Sequence, residues 1–190
     1  MDIDGKIGAV MLMRSKDFLA WVDDWFGRVL KRGPIGRGLD VLLTDFWTWA
    51  RVNSLYPLHF GIMCCALEMA AASAPRFDAQ RLGVIYRSTP RQCDILLVNG
   101  PVSKKLKPDL RRLYDQMSEP KWVVAMGECA ISGGPFWQSY SIVEGVDQFI
   151  PVDIYIPGCP VRPEAMLEGF MKLQDKIRKE KKGALTEEMV

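Results

Sequence analysis

Hydrophobic positions near the start of the chain recur at helical spacing. Phe18, Val22, Trp25 and Val29 share one stripe, Trp21, Phe26 and Leu30 widen it, and Asp23, Asp24 and Arg28 lie off it. This predicts an amphipathic helix within Ile7–Lys31. Gly33, Pro34, Gly36 and Gly38 then predict a linker or turn over Lys31–Gly38. Four of the six tryptophans, Trp21, Trp25, Trp47 and Trp49, precede residue 50. That density suits a membrane interface or an apolar partner surface, and it equally suits packing on the chain's own domain. Residues 1–50 are read as an N-terminal amphipathic helical segment for membrane-interface or partner docking.

The pattern changes from Gly83 onward. Val84–Tyr86, Ile95–Val98, Trp122–Met126 and Val152–Ile156 are apolar throughout rather than alternating, as strands covered on both faces are. Pro108 suits a first helical turn, and Leu110, Leu113, Tyr114 and Met117 form one stripe behind it. A further helix opens at Pro163 and would bury Met166, Leu167, Phe170, Leu173 and Ile177. Strands alternating with helices predict an α/β domain with a parallel sheet over residues 51–178. The mostly charged residues 179–190 read as a frayed tail.

Bulk composition narrows this picture. At 190 residues, 48% of them hydrophobic, the chain can bury a proper core without disulfides. Its 25 basic and 23 acidic residues leave a net charge of +2, so nothing suggests an electrostatic grip on nucleic acid. No apolar run reaches the roughly 18 residues that would span a bilayer. The opening residues, acidic at Asp2 and Asp4, are unlike a targeting peptide. The expectation is a reducing, cytosolic compartment, where five cysteines are metal ligands or buried apolar residues rather than a disulfide framework.

The cysteines are placed distinctively. Ile62–Ala72 is apolar except for Cys64, Cys65 and Glu68 and reads as a buried helix following the turn-like Tyr56-Pro57 and Gly61, with both thiols near its start. There the unpaired helix N–H groups favour thiolate and can donate to sulfur. Cys129 follows the predicted strand Trp122–Met126 after Gly127 and Glu128, and Cys159 follows Val152–Ile156 after Pro157 and Gly158. Both therefore lie beyond strand carboxyl ends, the edge at which open parallel sheets bind ligands. Three segments would deliver four thiolates to one edge, and four thiolates are what a 4Fe-4S cube takes, one per iron. Structural zinc takes its cysteines in pairs two to four residues apart, which this chain does not supply. Burial as an apolar residue would explain any one of these cysteines, but not three glycine-flanked placements. For Cys93, which precedes Ile95–Val98 on the opposite side, plain burial is the better reading.

The run Tyr56-Pro57-Leu58-His59-Phe60-Gly61-Ile62-Met63-Cys64-Cys65-Ala66-Leu67-Glu68-Met69 carries a family resemblance, as do Ser88–Gln92, Met126–Ala130 and Pro151–Pro160. Taken in order over residues 50–177, these motifs resemble the 20 kDa iron-sulfur subunit of NADH-quinone oxidoreductase (complex I). The resemblance implies a flavodoxin-like fold and one 4Fe-4S cluster on Cys64, Cys65, Cys129 and Cys159. That cluster would be the last of a chain of centres, fed by a ferredoxin-like cluster subunit, and would pass single electrons to a membrane quinone. The acceptor pocket would lie against a large hydrogenase-like (49 kDa-type) subunit, beside ion-pumping membrane-domain subunits. The matching residues for that pocket are Tyr56, His59, Phe60, Met69 and Ala70. A peripheral place on the cytoplasmic face of the cell membrane is also implied. Small subunits of nickel-iron hydrogenases present two cysteines separated by two residues, so the tandem pair favours the respiratory branch. A cluster-free scaffold bridging membrane and peripheral arms is the remaining rival.

Three positions depart from the family pattern. Tyr56, His59 and Ala70 stand where tryptophan, threonine and methionine are common, and all face the expected acceptor. They suggest a different lipophilic acceptor, such as a methanophenazine or naphthoquinone, and by extension a reduced deazaflavin donor as in the archaeal relatives. His59 also reads as a structural histidine at a turn. Glu68, the lone acid of an apolar helix, is read as paired with Arg76 or Arg87 in preference to carrying protons. Adjacent Cα atoms lie ~3.8 Å apart, so two irons of one cube bound from Cys64 and Cys65 imply backbone strain there and one weakly held thiolate.

Overall fold

The computed structural model describes residues 34–188, and the amphipathic helix expected within Ile7–Lys31 lies outside them. The chain divides into two units, residues 1–47 and 48–190. Helix α1, Pro34–Val52, contributes the described part of the first unit, where Leu42, Leu43, Phe46 and Trp47 are exposed. Residues 34–38 are thus helical, where the glycines had predicted a linker. Proline fits a first helical turn, whose N–H groups have no intrahelical acceptor, and each glycine costs a helix only about 1 kcal/mol.

The second unit is built on four parallel strands in the order β1-β2-β3-β4. They are β1 (Pro57–Leu58), β2 (Ile95–Asn99), β3 (Trp122–Met126) and β4 (Ile154–Ile156). Tyr56-Pro57, which reads as a turn in the sequence, instead opens β1. A first strand position tolerates the missing N–H, and the Pro57 carbonyl accepts the Arg87 N–H at 2.9 Å. The predicted strand at Val84–Tyr86 lies beside it as a short parallel ladder, with bridges Leu55–Val84 and Leu58–Arg87. Counting that ladder as the second strand in the chain, the spatial order becomes 2-1-3-4-5, the flavodoxin-like winding, whose ligand crevice opens where the order reverses. The reversal falls between β1 and β2.

Successive side chains of a strand point to opposite faces, and the two cores follow that alternation. Ile95, Leu97, Val124 and Met126 pack on one face with Cys65, Met69 and Ala72 of α2 (Cys64–Ser73) and with Met166, Phe170, Leu173 and Ile177 of α5 (Pro163–Glu188). Leu96, Val98, Val123 and Ala125 pack on the other with Leu110 of α3 (Lys107–Gln116) and Ala130 of α4 (Glu128–Ser132). β2 and β3 are fully covered, which is why they read as unbroken apolar runs, whereas β4 leaves Tyr155 exposed, contrary to the expectation for Val152–Ile156. Helix α5 continues to Glu188, so the tail expected to fray after Arg178 is helical. Its Lys, Glu, Ala and Leu residues are good helix formers.

Asp153 ties this layer to the sheet. One carboxylate oxygen accepts the Val123 N–H at 2.8 Å and the other meets Lys176 Nζ at 2.6 Å. Replacing Asp153 by Ala strands a buried strand N–H, and we expect a loss of about 1–3 kcal/mol, read as a lower urea midpoint with unchanged slope.

Candidate metal centre

Parallel pairing aligns one row of residues across the sheet: Gly61 bridges Asn99, Asn99 pairs with Met126, and Met126 with Ile156. Cys64, Cys129 and Cys159 each stand three residues beyond a member of that row. The same number of steps past the same sheet edge carries all three to one side, and Cys65 comes with Cys64 at the start of α2. The four thiols are close enough to act on one another electrostatically. Burial raises the Cys65 thiol above its ordinary range, and Cys64 and Cys159 raise it further, while a backbone hydrogen bond from Val161 opposes them. Cys129 is raised first by burial, then by Cys159, Cys65 and Cys64. Cys65 and Cys129 are buried, whereas Cys64 and Cys159 are exposed.

Gly127 makes room for this arrangement. Its φ of +88° suits glycine, and a Cβ there would lie 2.7 Å from Cys65 Sγ. The strand end of β3 therefore comes directly against the tandem cysteine. At the other approach, Met63 precedes α2 with φ 68° and ψ −154°. That region is essentially reserved for glycine and costs other residues about 1–3 kcal/mol. The strain expected at the tandem pair thus sits on the residue before it. Helix α2 also starts at Cys64 rather than Ile62 for this reason, which puts both thiols in its first turn.

Among the described residues, no three His, Cys, Asp or Glu side chains converge as ligands of a single metal ion do. A cube spreads its thiolates over four separate irons, so its ligands need no common point. An all-sulfur set spread over three segments therefore suits a cube better than a lone zinc ion.

Cys93 lies apart from these four. It is fully buried in the opposite core, its Sγ donates to the Thr89 carbonyl at 3.1 Å, and burial pushes the thiol up to about 11. Glu68 is half-buried and, contrary to the sequence reading, pairs with neither arginine. Arg76 lies over the Phe77 ring at 5.4 Å and Arg87 over the Tyr56 ring at 5.3 Å. A half-buried carboxylate still reaches solvent, so no buried cation is required to offset its charge.

The five residues matched to an acceptor pocket separate. Tyr56 and His59 share a neighbourhood through Arg87, whose carbonyl accepts the His59 N–H at 2.7 Å, and His59 meets Tyr86 edge-on at 6.2 Å. Ala70 is exposed, Phe60 packs against the opposite core, and Met69 is buried at 1% exposure. Asn99, which the sequence reading passed over, is the one buried polar or charged residue among those described. An asparagine beside Gly100 reads as a turn signal, and its register opposite Met126 is invisible before the sheet is known.

Comparison with known proteins identifies the family. Residues 63–173 match the family described as NADH ubiquinone oxidoreductase, 20 Kd subunit. The structure of the membrane-bound sulfane sulfur reductase (MBS), described as an archaeal respiratory membrane complex, contains a similar chain. It is 37% identical with a TM-score of 0.68, over 70% of this chain and 76% of that one. The chain belongs to the 20 kDa subunit family of complex I, and is thus an oxidoreductase subunit of a complex-I-like respiratory assembly.

The two backbone extremes have opposite consequences. Met63→Gly removes the strain and loses little burial, since Met63 is 55% exposed; we expect about 1 kcal/mol of added stability in the metal-free chain. Gly127→Ala meets both an unfavourable φ and Cys65 Sγ, and is expected to cost about 2 kcal/mol. Urea unfolding of the two variants beside the parent checks both signs.

Proposed function

We propose that the chain holds one 4Fe-4S cluster on Cys64, Cys65, Cys129 and Cys159 and serves as the terminal electron-transfer subunit of a respiratory proton pump of the complex I type. The observation that carries this reading is the shared register row, which places three cysteine-bearing segments equally far past one sheet edge. Bound there, a cluster accepts and releases one electron at a time. The chain's own part is to position it. The first turn of α2 brings its positive dipole end to the thiolates, Gly127 admits the Cys65 sulfur, and the apolar layer of α2 and α5 keeps water from Cys65.

The exposed half of the site gives the reading its partners. Cys64 and Cys159 are open, with Met63 at 55% and Leu67 at 74% exposure beside the tandem pair. A large hydrogenase-like subunit of the 49 kDa type would cover this apolar rim, with a ferredoxin-like cluster subunit as donor and membrane-domain subunits nearby. No helix among the described residues is long and apolar enough to cross a membrane. The place proposed is peripheral, on the cytoplasmic face, with residues 1–50 as the docking segment, residues 51–178 as the cluster domain and 179–190 as a charged tail.

For the acceptor we infer a lipophilic quinone or methanophenazine approaching the Tyr56–His59 side of the site, with Phe60, Met69 and Ala70 behind it. The similar chain belongs to a complex named for sulfane sulfur, so an acceptor other than ubiquinone has a precedent among similar chains. A nicotinamide, a reduced deazaflavin or a ferredoxin remains the donor class.

In the purified complex, dithionite reduction is expected to give a cluster paramagnetic resonance signal. Cys129→Ser is expected to abolish or alter it while the other subunits remain assembled. Absence of any cluster signal from this chain in the intact parent complex sinks the cluster reading in favour of a scaffold. Equal reduction of ubiquinone and a phenazine analogue removes the basis for a distinct acceptor.

A further inference from the structure

The geometry points to Asn99 as a positioning residue that clamps the tandem cysteine from both sides, an inference that rests on the cluster reading above. Asn99 ends β2 and is fully buried. Its Oδ1 accepts the Ile62 N–H at 3.2 Å, and its backbone carbonyl accepts the same N–H at 3.2 Å. Its Nδ2 donates to Met69 Sδ at 3.1 Å. Ile62 and Met69 flank Cys64 and Cys65 along the chain, so one carboxamide fixes both the approach to the pair and the helix that follows it.

The location matches this role. Asn99 and Gly61 face each other across the β1–β2 reversal, the crevice in which this winding binds its ligands. The Ile62 backbone lies so close to β2 that a Cβ on Gly100, at φ +133°, would collide with the Ile62 carbonyl oxygen. Between the two anchor points sits Met63 in its glycine-like conformation. A strained residue persists only where its surroundings over-determine it, and the Asn99 clamp does so here. A thioether is a weak acceptor, so the Met69 contact serves direction more than strength. A buried amide with such a partner is costly to keep. Apolar packing would fill the same volume without that cost, and what the amide adds is a fixed path for Gly61–Cys65.

The test uses the intact complex with two variants. Asn99→Leu keeps the number and branching of side-chain heavy atoms and removes both side-chain contacts; Met69→Leu removes only the helix-side contact and leaves β2 and the loop untouched. In both, we expect a shifted midpoint potential and altered resonance line shape at parental iron content. Iron loss to a chelator should be faster, by about tenfold in Asn99→Leu, the effect of one lost buried hydrogen bond. A purely structural role would lower the yield of assembled complex and leave potential and line shape alone. If Asn99→Leu fails to assemble, Met69→Leu decides. Parental potential, line shape and iron retention in the assembled variants overturn the clamp, while a parental complex without a cluster overturns the cluster reading and the clamp with it.

Discussion

Parallel strand pairing is the constraint on which the rest depends. A parallel ladder aligns neighbouring strands residue for residue, so Gly61, Asn99, Met126 and Ile156 form one line across the sheet. Segments that leave this line toward the same edge reach comparable heights after equal numbers of residues. Three of the four cysteines reach the same side of the sheet by this alone. A slip of β3 by one residue would move Cys129 out of step and turn Val124 and Met126 from one core to the other. The packing that stabilises the fold is therefore the same packing that aligns the thiols.

Precision beyond that line comes from a few local devices. The winding reverses between β1 and β2, which leaves a crevice but also leaves the chain from Gly61 to Cys65 without a strand on its outer side. Backbone contact at Gly100, the Asn99 carboxamide and the buried Met69 replace it. The strained Met63 measures what this costs, about 1–3 kcal/mol, small against the burial of Phe170, Met166 and Leu173 on the same face, where losing one large side chain costs about 2–5 kcal/mol.

Much of the sheet was legible from sequence because its two central strands, β2 and β3, are covered on both faces. Ile95–Val98 and Trp122–Met126 stand out as apolar runs, and their helices are marked by Pro108 and Pro163. The cysteines could be placed at one edge from strand direction alone. What stayed hidden was short or non-local. β1 is two residues long and begins with proline, so Tyr56-Pro57 looked like a turn, and with it the order reversal and the line through Gly61 were lost. The glycines near Pro34 outweighed a helix that forms anyway, and the charge of residues 179–188 outweighed their helix propensity. An arginine partner for Glu68 presupposes full burial, and a half-buried carboxylate does not require one. Asn99 carries no local signal, because its partners lie 30 and 37 positions away along the chain.

The unequal exposure of the thiols bears on how the proposed role would work. Cys65 and Cys129 lie in the core, held by the layer of α2 and α5 and by the end of β3, while Cys64 and Cys159 face outward. A cluster held on all four would be anchored on one side and open on the other. An enclosing chain would shield it from water but would also lengthen every electron path in and out. An open side admits a donor and an acceptor, provided that partner subunits supply the missing cover. The exposed Met63 and Leu67 give such a partner an apolar edge to seal against. On this reading the chain specifies the position of the redox centre, and the identity of the acceptor is decided where Tyr56 and His59 meet whatever surface closes over them.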